Sequence, residues 1–177
     1  MTGRESARVV LVVVTFVVVQ ESLVLDFRVG SVHADVLVLL PILGGLVGGP
    51  ATGALMGFGT GIAADLFLPT PFGLSALVGT LVGFAVGFST LALDRSSWWL
   101  PPLVALGGSA LYEVLYASIG SLLGQPQMLH VELGTIVALV SLVNAVLALP
   151  ARRVVAWSLP GASTEGIPTS TVATTGR

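Results

Sequence analysis

The sequence contains no cysteine and no lysine, and charged residues of either sign are few. Without cysteine the chain has no disulfide framework, no thiolate-bound zinc and no thiol nucleophile. Without lysine it has neither the phosphate-binding lysine of a Walker A loop nor an amine for Schiff-base chemistry. The net charge is −2 and there is no basic cluster, so the sequence lacks the positively charged patch by which proteins bind nucleic acid. These absences exclude several classes of enzyme and nucleic-acid-binding protein.

Charged residues make up 9% of the 177 residues, whereas 54% are hydrophobic. Soluble domains carry about 25% charged residues, and a soluble fold with so few charges would expose one large apolar surface. The charges are also clustered, and four long segments contain none: 36–64, 66–93, 114–131 and 133–151. Apolar segments of about 18 residues or more are typical of transmembrane helices. We therefore predict an all-α integral membrane protein.

Hydropathy predicts six membrane spans forming one helical bundle, residues 1–157. The spans lie at about 8–27, 36–49, 51–68, 72–93, 98–123 and 131–157. The second is short, and Pro41 and paired glycines interrupt it, so we expect it to tilt, kink or span incompletely. Residues 158–177 are rich in Ser, Thr, Gly and Pro and are expected to form a disordered cytoplasmic tail.

The arginine distribution favours six spans with both termini in the cytoplasm. In that topology Arg28 is the one arginine on the outer side. Five spans would place Arg95 and the pair 152–153 outside, against the positive-inside rule. The three tryptophans then lie at the cytoplasmic interface, which suits amphipathic indole rings. They are Trp98, Trp99 and Trp157.

Glycine recurs at every fourth position from Gly45 to Gly61 and again from Gly79 to Gly87. Residues i and i+4 lie on one face of a helix, so each series forms a groove that another backbone can approach closely. Such a groove either packs inside the bundle or receives a helix of a partner, and the sequence leaves both open. We assign to this packing or partner face Gly53, Gly57, Gly61, Asp65, Pro71, Gly73, Gly79, Gly83 and Gly87.

Four acidic residues fall in the outer half of the membrane or at its outer edge in this topology. They are Glu21, Asp65, Glu113 and Glu132. An ionised carboxylate near the middle of the bilayer costs about 2.5–3.5 kcal/mol, so such residues face the bundle interior, water or a partner. For Asp65 and Glu113 three roles remain open: capping or interhelical hydrogen bonding, contact with a ligand or partner, and proton coupling.

Catalytic chemistry has no visible basis in the sequence. No set of nucleophile, base and orienting group stands out. The two histidines fall in predicted outer loops, and two ligands without a third make a poor metal site. We therefore expect a protein that is not an enzyme and that uses neither a cofactor nor a metal.

The segment Gly53–Leu77, GALMGFGTGIAADLFLPTPFGLSAL, resembles the MreD family of the bacterial rod-shape and cell-wall elongation system. That family has a glycine-rich helix ending in an aspartate, then a short proline-containing turn and a Pro-x-Gly-Leu-x-Ala-Leu segment. The matching positions here are Gly57, Gly61, Asp65, Pro71, Gly73, Leu74, Ala76 and Leu77. Length, six-span hydropathy and cytoplasmic ends agree with the family over nearly the whole chain.

The resemblance implies a non-enzymatic scaffold in the bacterial cell membrane that helps control cell shape and peptidoglycan synthesis. Its direct partner would be an MreC-like single-span protein. Through that partner it would act with MreB filaments, a RodA-type glycosyltransferase and a penicillin-binding transpeptidase.

The same family is similar in fold to the substrate-binding subunits of energy-coupling-factor vitamin transporters, which supplies an alternative function. A subunit of that kind would need an outer pocket, here lined by Glu21, Asp65 and Glu113. It would also need a docking surface of small residues at four-residue spacing on the first helix. The segment Ala7–Gln20 lacks that spacing, which counts against the alternative.

Overall fold

The computed structural model describes residues 3–26, 35–93, 97–125 and 133–159, and within these ranges the chain is all-helical. The five helices are α1 (Gly3–Asp26), α2 (Leu39–Asp65), α3 (Leu74–Ser89), α4 (Leu100–Leu122) and α5 (Leu133–Ser158). A short 3-10 turn, Thr90–Ala92, extends α3. Of the predicted tail, only residues 158 and 159 are described.

The prediction of six separate helices is not supported, because the predicted second and third spans belong to one element, α2. The interruption between them is only one residue long. Gly49 has φ 80° and ψ −175°, a conformation that glycine adopts without the steric cost of a Cβ atom. Pro50 follows. It has no backbone N–H group to donate, so it fits the position where the helical hydrogen bonds are interrupted.

The chain reverses direction at this interruption. A Cβ atom built on Gly53 would lie 2.7 Å from the Cα atom of Gly45. In a straight helix, residues eight positions apart are separated by about 12 Å. The two parts of α2 therefore fold back on each other, and we refer to residues 39–48 as the first arm and to residues 50–65 as the second arm.

The remaining helices follow the predicted spans closely, with ends that differ by a few residues. Three of the described helices are long and apolar enough to cross a membrane: Leu39–Asp65, Leu100–Leu122 and Leu133–Ser158. Two shorter apolar helices accompany them, Ala7–Gln20 and Leu74–Ser89. The described part of the chain is accordingly all-helical, and the chain is a membrane protein.

The distribution of side chains around the bundle is the one expected in lipid. The first arm lies at the centre, where Leu39 and Ile42 are completely buried. The outward faces of the helices are also apolar, as at Val14 in α1, Phe84 in α3 and Val146 in α5, all at least half exposed. In water such surfaces would be large apolar patches, whereas in a bilayer they contact acyl chains.

The two ends of the bundle differ. The guanidinium of Arg8 lies 5.2 Å from the centre of the Trp157 ring, so the start of α1 adjoins the end of α5. The helices α4 and α5 pack against each other and are separated by only ten residues, a connection length typical of antiparallel neighbours. We call this the tryptophan end, since Trp98, Trp99 and Trp157 are exposed there. The opposite end, with the turn between α2 and α3 and the end of α4, is called the turn end.

Candidate functional site

The glycine series forms the contact between α2 and α3 inside the chain. A Cβ atom on Gly57 would overlap the main-chain oxygen of Gly79, and one on Gly61 would overlap the backbone of Ala76. In both cases the obstacle is backbone, which has no rotamer by which to move away. The same kind of backbone overlap occurs for Gly53 and Gly83 with each other, for Gly79 with Gly57, and for Gly87 with Pro50.

This arrangement decides how the glycine face is used within the described residues. The groove of one helix is filled by the backbone of its neighbour, so the face lies inside the bundle and is closed to a partner helix. Glycines elsewhere show the contrast. Gly59 and Gly107 point to open space, with no atom within 4 Å of an added Cβ. Gly49 belongs to the series but has no atom within 4 Å of an added Cβ, so the backbone contact is made by the other members.

Asp65 holds the start of α3 from the end of α2. Its carboxylate accepts hydrogen bonds from the backbone N–H groups of Gly73 at 2.8 Å, Ser75 at 3.1 Å and Ala76 at 3.4 Å. The first turn of a helix has free N–H groups and a partial positive charge, and a carboxylate stabilises both. The side chain is 95% buried, since its exposed fraction is 5%. These contacts correspond to the capping role, one of the three left open by the sequence.

The turn between α2 and α3 is built by the remaining residues of the predicted face. The main-chain oxygen of Pro71 accepts a hydrogen bond from the N–H of Leu74 at 3.1 Å. Gly73 has φ 95°, in the left-handed region that favours glycine, and it immediately precedes α3. The structure therefore places Pro71 and Gly73 in the turn and outside the helix–helix contact.

A buried polar contact joins three elements near the middle of the bundle. The Nδ2 atom of Asn144 donates to the main-chain oxygen of Asp35 at 3.0 Å and to Oγ of Ser109 at 2.9 Å. Asn144 and Ser109 are completely buried. Asp35 in turn accepts a hydrogen bond from the N–H of Leu37 at 3.2 Å, just before α2 begins. The contact links α4, α5 and the segment that leads into the first arm.

Asp35 is absent from the residues predicted as functional. Its position directly before an apolar helix, with a side chain bonded to an N–H two residues on, is a common pattern at helix starts. The sequence alone therefore suffices to predict that Asp35 lies at a helix start. It does not predict the contact between Asp35 and Asn144, because 109 residues separate the two positions.

A small cavity lies beside this contact, between both arms of α2, α3 and α4. Its volume is about 10 Å³, and its polar lining comes from Asp35, Thr60, Ser75 and Tyr112. The hydroxyl of Ser75 is fully buried and makes no hydrogen bond of good geometry with the described residues. A cavity of this size with polar walls has room for one water molecule.

The acidic residues predicted to form an outer cluster are only partly described. Asp65 and Glu113 lie on neighbouring elements, the first buried and the second partly buried on α4. Glu132 and the side chain of Glu21 lie outside the described residues. Near Glu113 on α4, Tyr116 donates its O–H to Oγ1 of Thr70 at 3.0 Å and so ties α4 to the α2–α3 turn.

Metal binding finds no support in the part of the chain that the structure describes. It contains no group of three or more His, Cys, Asp or Glu residues arranged to hold an ion. The polar side chains that bond between elements in this part are hydroxyls, amides and carboxylates, and these contacts hold helices together.

Comparisons with known proteins give no relative for this chain. No family model matches it, and neither a curated protein nor a solved structure matches it. The functional argument therefore rests on the residues and on their contacts.

Proposed function

We propose that the chain is a non-enzymatic membrane scaffold of the bacterial rod-shape and cell-wall elongation machinery, and that it binds an MreC-like single-span protein. The observation that carries the proposal is that the segment resembling the MreD family, residues 53–77, forms one continuous unit in the fold. It comprises most of the second arm, the turn and the start of α3.

Positions in that segment have definite structural roles. Gly57 and Gly61 allow backbone contact with α3, and Ala76 is the small residue opposite Gly61. Asp65 caps α3, and Gly73 supplies the left-handed turn residue. The pattern thus encodes a rigid helical hairpin with no reactive centre, which suits a protein that presents surfaces to partners.

For the topology we propose that the tryptophan end faces the cytoplasm of a bacterial cell, in the inner or plasma membrane. The contact between Arg8 and Trp157 supports this, because it brings the start of α1 and the end of α5 to the same end. With the two arms of α2 counted separately, the chain then has six membrane segments and both termini inside. The positive-inside rule gives the orientation.

The partner helix has to bind on an outward face of the bundle, since the glycine face is filled by the chain itself. Outward faces carry large exposed apolar side chains, among them Leu81 and Phe84 of α3. In this account the MreC-like protein is the direct partner. MreB filaments, the RodA-type glycosyltransferase and the penicillin-binding transpeptidase are reached through it.

The size of the internal cavity favours the scaffold over the transporter alternative. Pockets for small organic ligands measure about 300–1,000 Å³. The cavity lined by Asp35, Ser75 and Tyr112 measures about 10 Å³, which suits a single water molecule. A vitamin-sized ligand would require the helices to move well apart.

Depletion of the chain in the bacterium that encodes it tests the proposal. We expect rod-shaped cells to become round and peptidoglycan insertion, followed with a fluorescent D-amino acid, to lose its pattern along the cell wall. Re-expression of the wild-type chain is the matched control and restores both. Unchanged cell shape together with impaired uptake of a vitamin would overturn the scaffold proposal and favour the transporter subunit.

A further inference from the structure

The turn between α2 and α3 exposes a continuous set of apolar side chains at the end of the bundle. We refer to residues 66–73 as the apolar turn. Its exposed side chains, with their exposed fractions, are Leu66 (69%), Phe67 (61%), Leu68 (42%) and Phe72 (66%). The sequence has no charged residue from position 66 to position 93. A loop of this composition is unusual in water, where loops are polar and solvated.

The backbone of the apolar turn has most of its donors satisfied from within. Phe67 and Leu68 both donate their N–H groups to the main-chain oxygen of Ala64, at 3.0 Å and 3.2 Å. Gly73 donates to the carboxylate of Asp65 at 2.8 Å. Lipid offers no hydrogen-bond partner, so backbone at membrane depth has to find its partners in the protein.

Two further features reduce the number of polar groups that the turn would expose to lipid. Pro69 and Pro71 have no N–H group, so two potential donors of the turn do not exist. The polar side chain of Thr70 is bonded too, because Oγ1 accepts the O–H of Tyr116 at 3.0 Å. The turn therefore presents apolar side chains outward, while the N–H groups of Phe67, Leu68 and Gly73 and the hydroxyl of Thr70 bond within the chain.

The length of the hairpin brings the apolar turn to the edge of the hydrocarbon core. The second arm of α2 and the 16 residues of α3 each rise about 24 Å. The 3-10 turn adds about 6 Å to α3. The hydrocarbon core of a bilayer is about 30 Å thick, so the hairpin does not extend beyond it. A turn that begins at this depth meets acyl chains and headgroups before it meets bulk water.

From these observations we propose that the apolar turn is inserted in the membrane, with its leucine and phenylalanine side chains among the acyl chains just below the lipid headgroups. The ligand of this surface is the lipid leaflet. Asp65 is essential to the arrangement, because its carboxylate bonds the N–H groups that would otherwise meet lipid at the start of α3. The inference concerns the membrane alone and is independent of the proposed scaffold function.

Site-directed spin labelling tests the insertion, and the absence of native cysteine makes single labelling sites available. Phe67→Cys and Phe72→Cys place nitroxides on the turn without removing buried side chains. Phe58→Cys, exposed in the middle of the second arm, is the lipid reference. The same spin label coupled to glutathione and dissolved in the vesicle suspension is the water reference. The full chain is reconstituted in vesicles of phosphatidylethanolamine and phosphatidylglycerol.

The readout is the accessibility of each nitroxide to oxygen, which partitions into lipid, and to the water-soluble nickel complex NiEDDA. We expect labels at positions 67 and 72 to show an oxygen-to-nickel accessibility ratio close to that of position 58 and well above that of the dissolved label. A ratio equal to that of the dissolved label would place the turn in water and overturn the proposal. Low accessibility to both reagents would show that protein covers the turn, which also overturns it.

Discussion

Asp65 is the residue on which the α2–α3 hairpin most depends, because one carboxylate accepts hydrogen bonds from two backbone donors of α3 and one of the preceding turn. Asp65 thus caps α3 from the end of the preceding helix, eight or more residues earlier in the chain. Asn144 plays a comparable part in the centre of the bundle, where one amide nitrogen bonds two other elements. The carboxylate of Asp65 and Nδ2 of Asn144 find their partners inside the protein, as a bilayer environment requires, whereas the buried Oδ1 of Asn144 makes no hydrogen bond with the described residues.

Removal of the Asp65 carboxylate should destabilise the chain. Loss of a helix cap costs about 0.5–2 kcal/mol, and bonds to a charged acceptor lie at the upper end of such values. We expect Asp65→Ala to lower the free energy of unfolding in detergent micelles by about 2 kcal/mol. Glu113→Gln, which replaces the carboxyl group of a partly buried side chain, is the control and should change it much less. Equal losses in the two variants would contradict the capping role.

The contact between Asn144 and Ser109 is suited to a double-mutant cycle. Interhelical hydrogen bonds in membrane proteins average about 0.6 kcal/mol and reach about 1.7 kcal/mol. We expect Asn144→Ala and Ser109→Ala to be coupled by an energy in this range, measured by unfolding in micelles. The pair Asn144→Ala and Ser118→Ala should be additive, because the Ser118 hydroxyl bonds the main chain of its own helix. Zero coupling for the first pair would refute the contact.

At the scale of elements, the hairpin of the second arm and α3 is held by backbone approaching backbone. Four-residue glycine spacing predicts such a close-packed face, and the structure has one. The sequence could not say which helix fills the groove, since a helix of the same chain and a helix of a partner present the same chemistry. Contact between distant segments is a property of the folded bundle.

Two glycines two residues apart give a matched test of this hairpin. A Cβ atom on Gly57 overlaps the main-chain oxygen of Gly79, while one on Gly59 meets open space. We expect Gly57→Ala to lower the free energy of unfolding by about 2 kcal/mol or more, as overpacking does. Gly59→Ala should be neutral or stabilise by up to about 1 kcal/mol, because alanine favours a helix over glycine. Equal midpoints of unfolding for the two variants would contradict the packing.

The interruption of α2 shows a different limit of prediction from sequence. Pro41, Gly49 and Pro50 mark a broken region in the sequence. The prediction places one span before the break, ending at residue 49, and another after it, beginning at residue 51. The structure has one element whose first arm is only about 15 Å long, half the thickness of the hydrocarbon core. The sequence predicts a short second span that tilts, kinks or spans incompletely, and the first arm is short, whereas the reversal of the chain at Gly49 required the fold.

At the scale of the whole molecule, the bundle has apolar outward faces, a fully buried central arm and two unlike ends. Composition alone predicted a helical membrane protein, because long apolar segments without charges are typical of transmembrane helices. The positions of Asp35 and of the small polar cavity required the fold, since their contacts come from segments far apart in the chain.

The most direct measurement of the central claim is quantitative co-purification of the full-length chain from membranes of the bacterium that encodes it. We predict that an MreC-like single-span protein is recovered in near-equal amount with the wild-type chain and with Gly59→Ala. An unrelated multi-pass protein of the same membrane, purified in parallel, should not enrich it. If the folded wild-type chain, verified by its unfolding midpoint, recovers no such protein above that control, the scaffold function is contradicted.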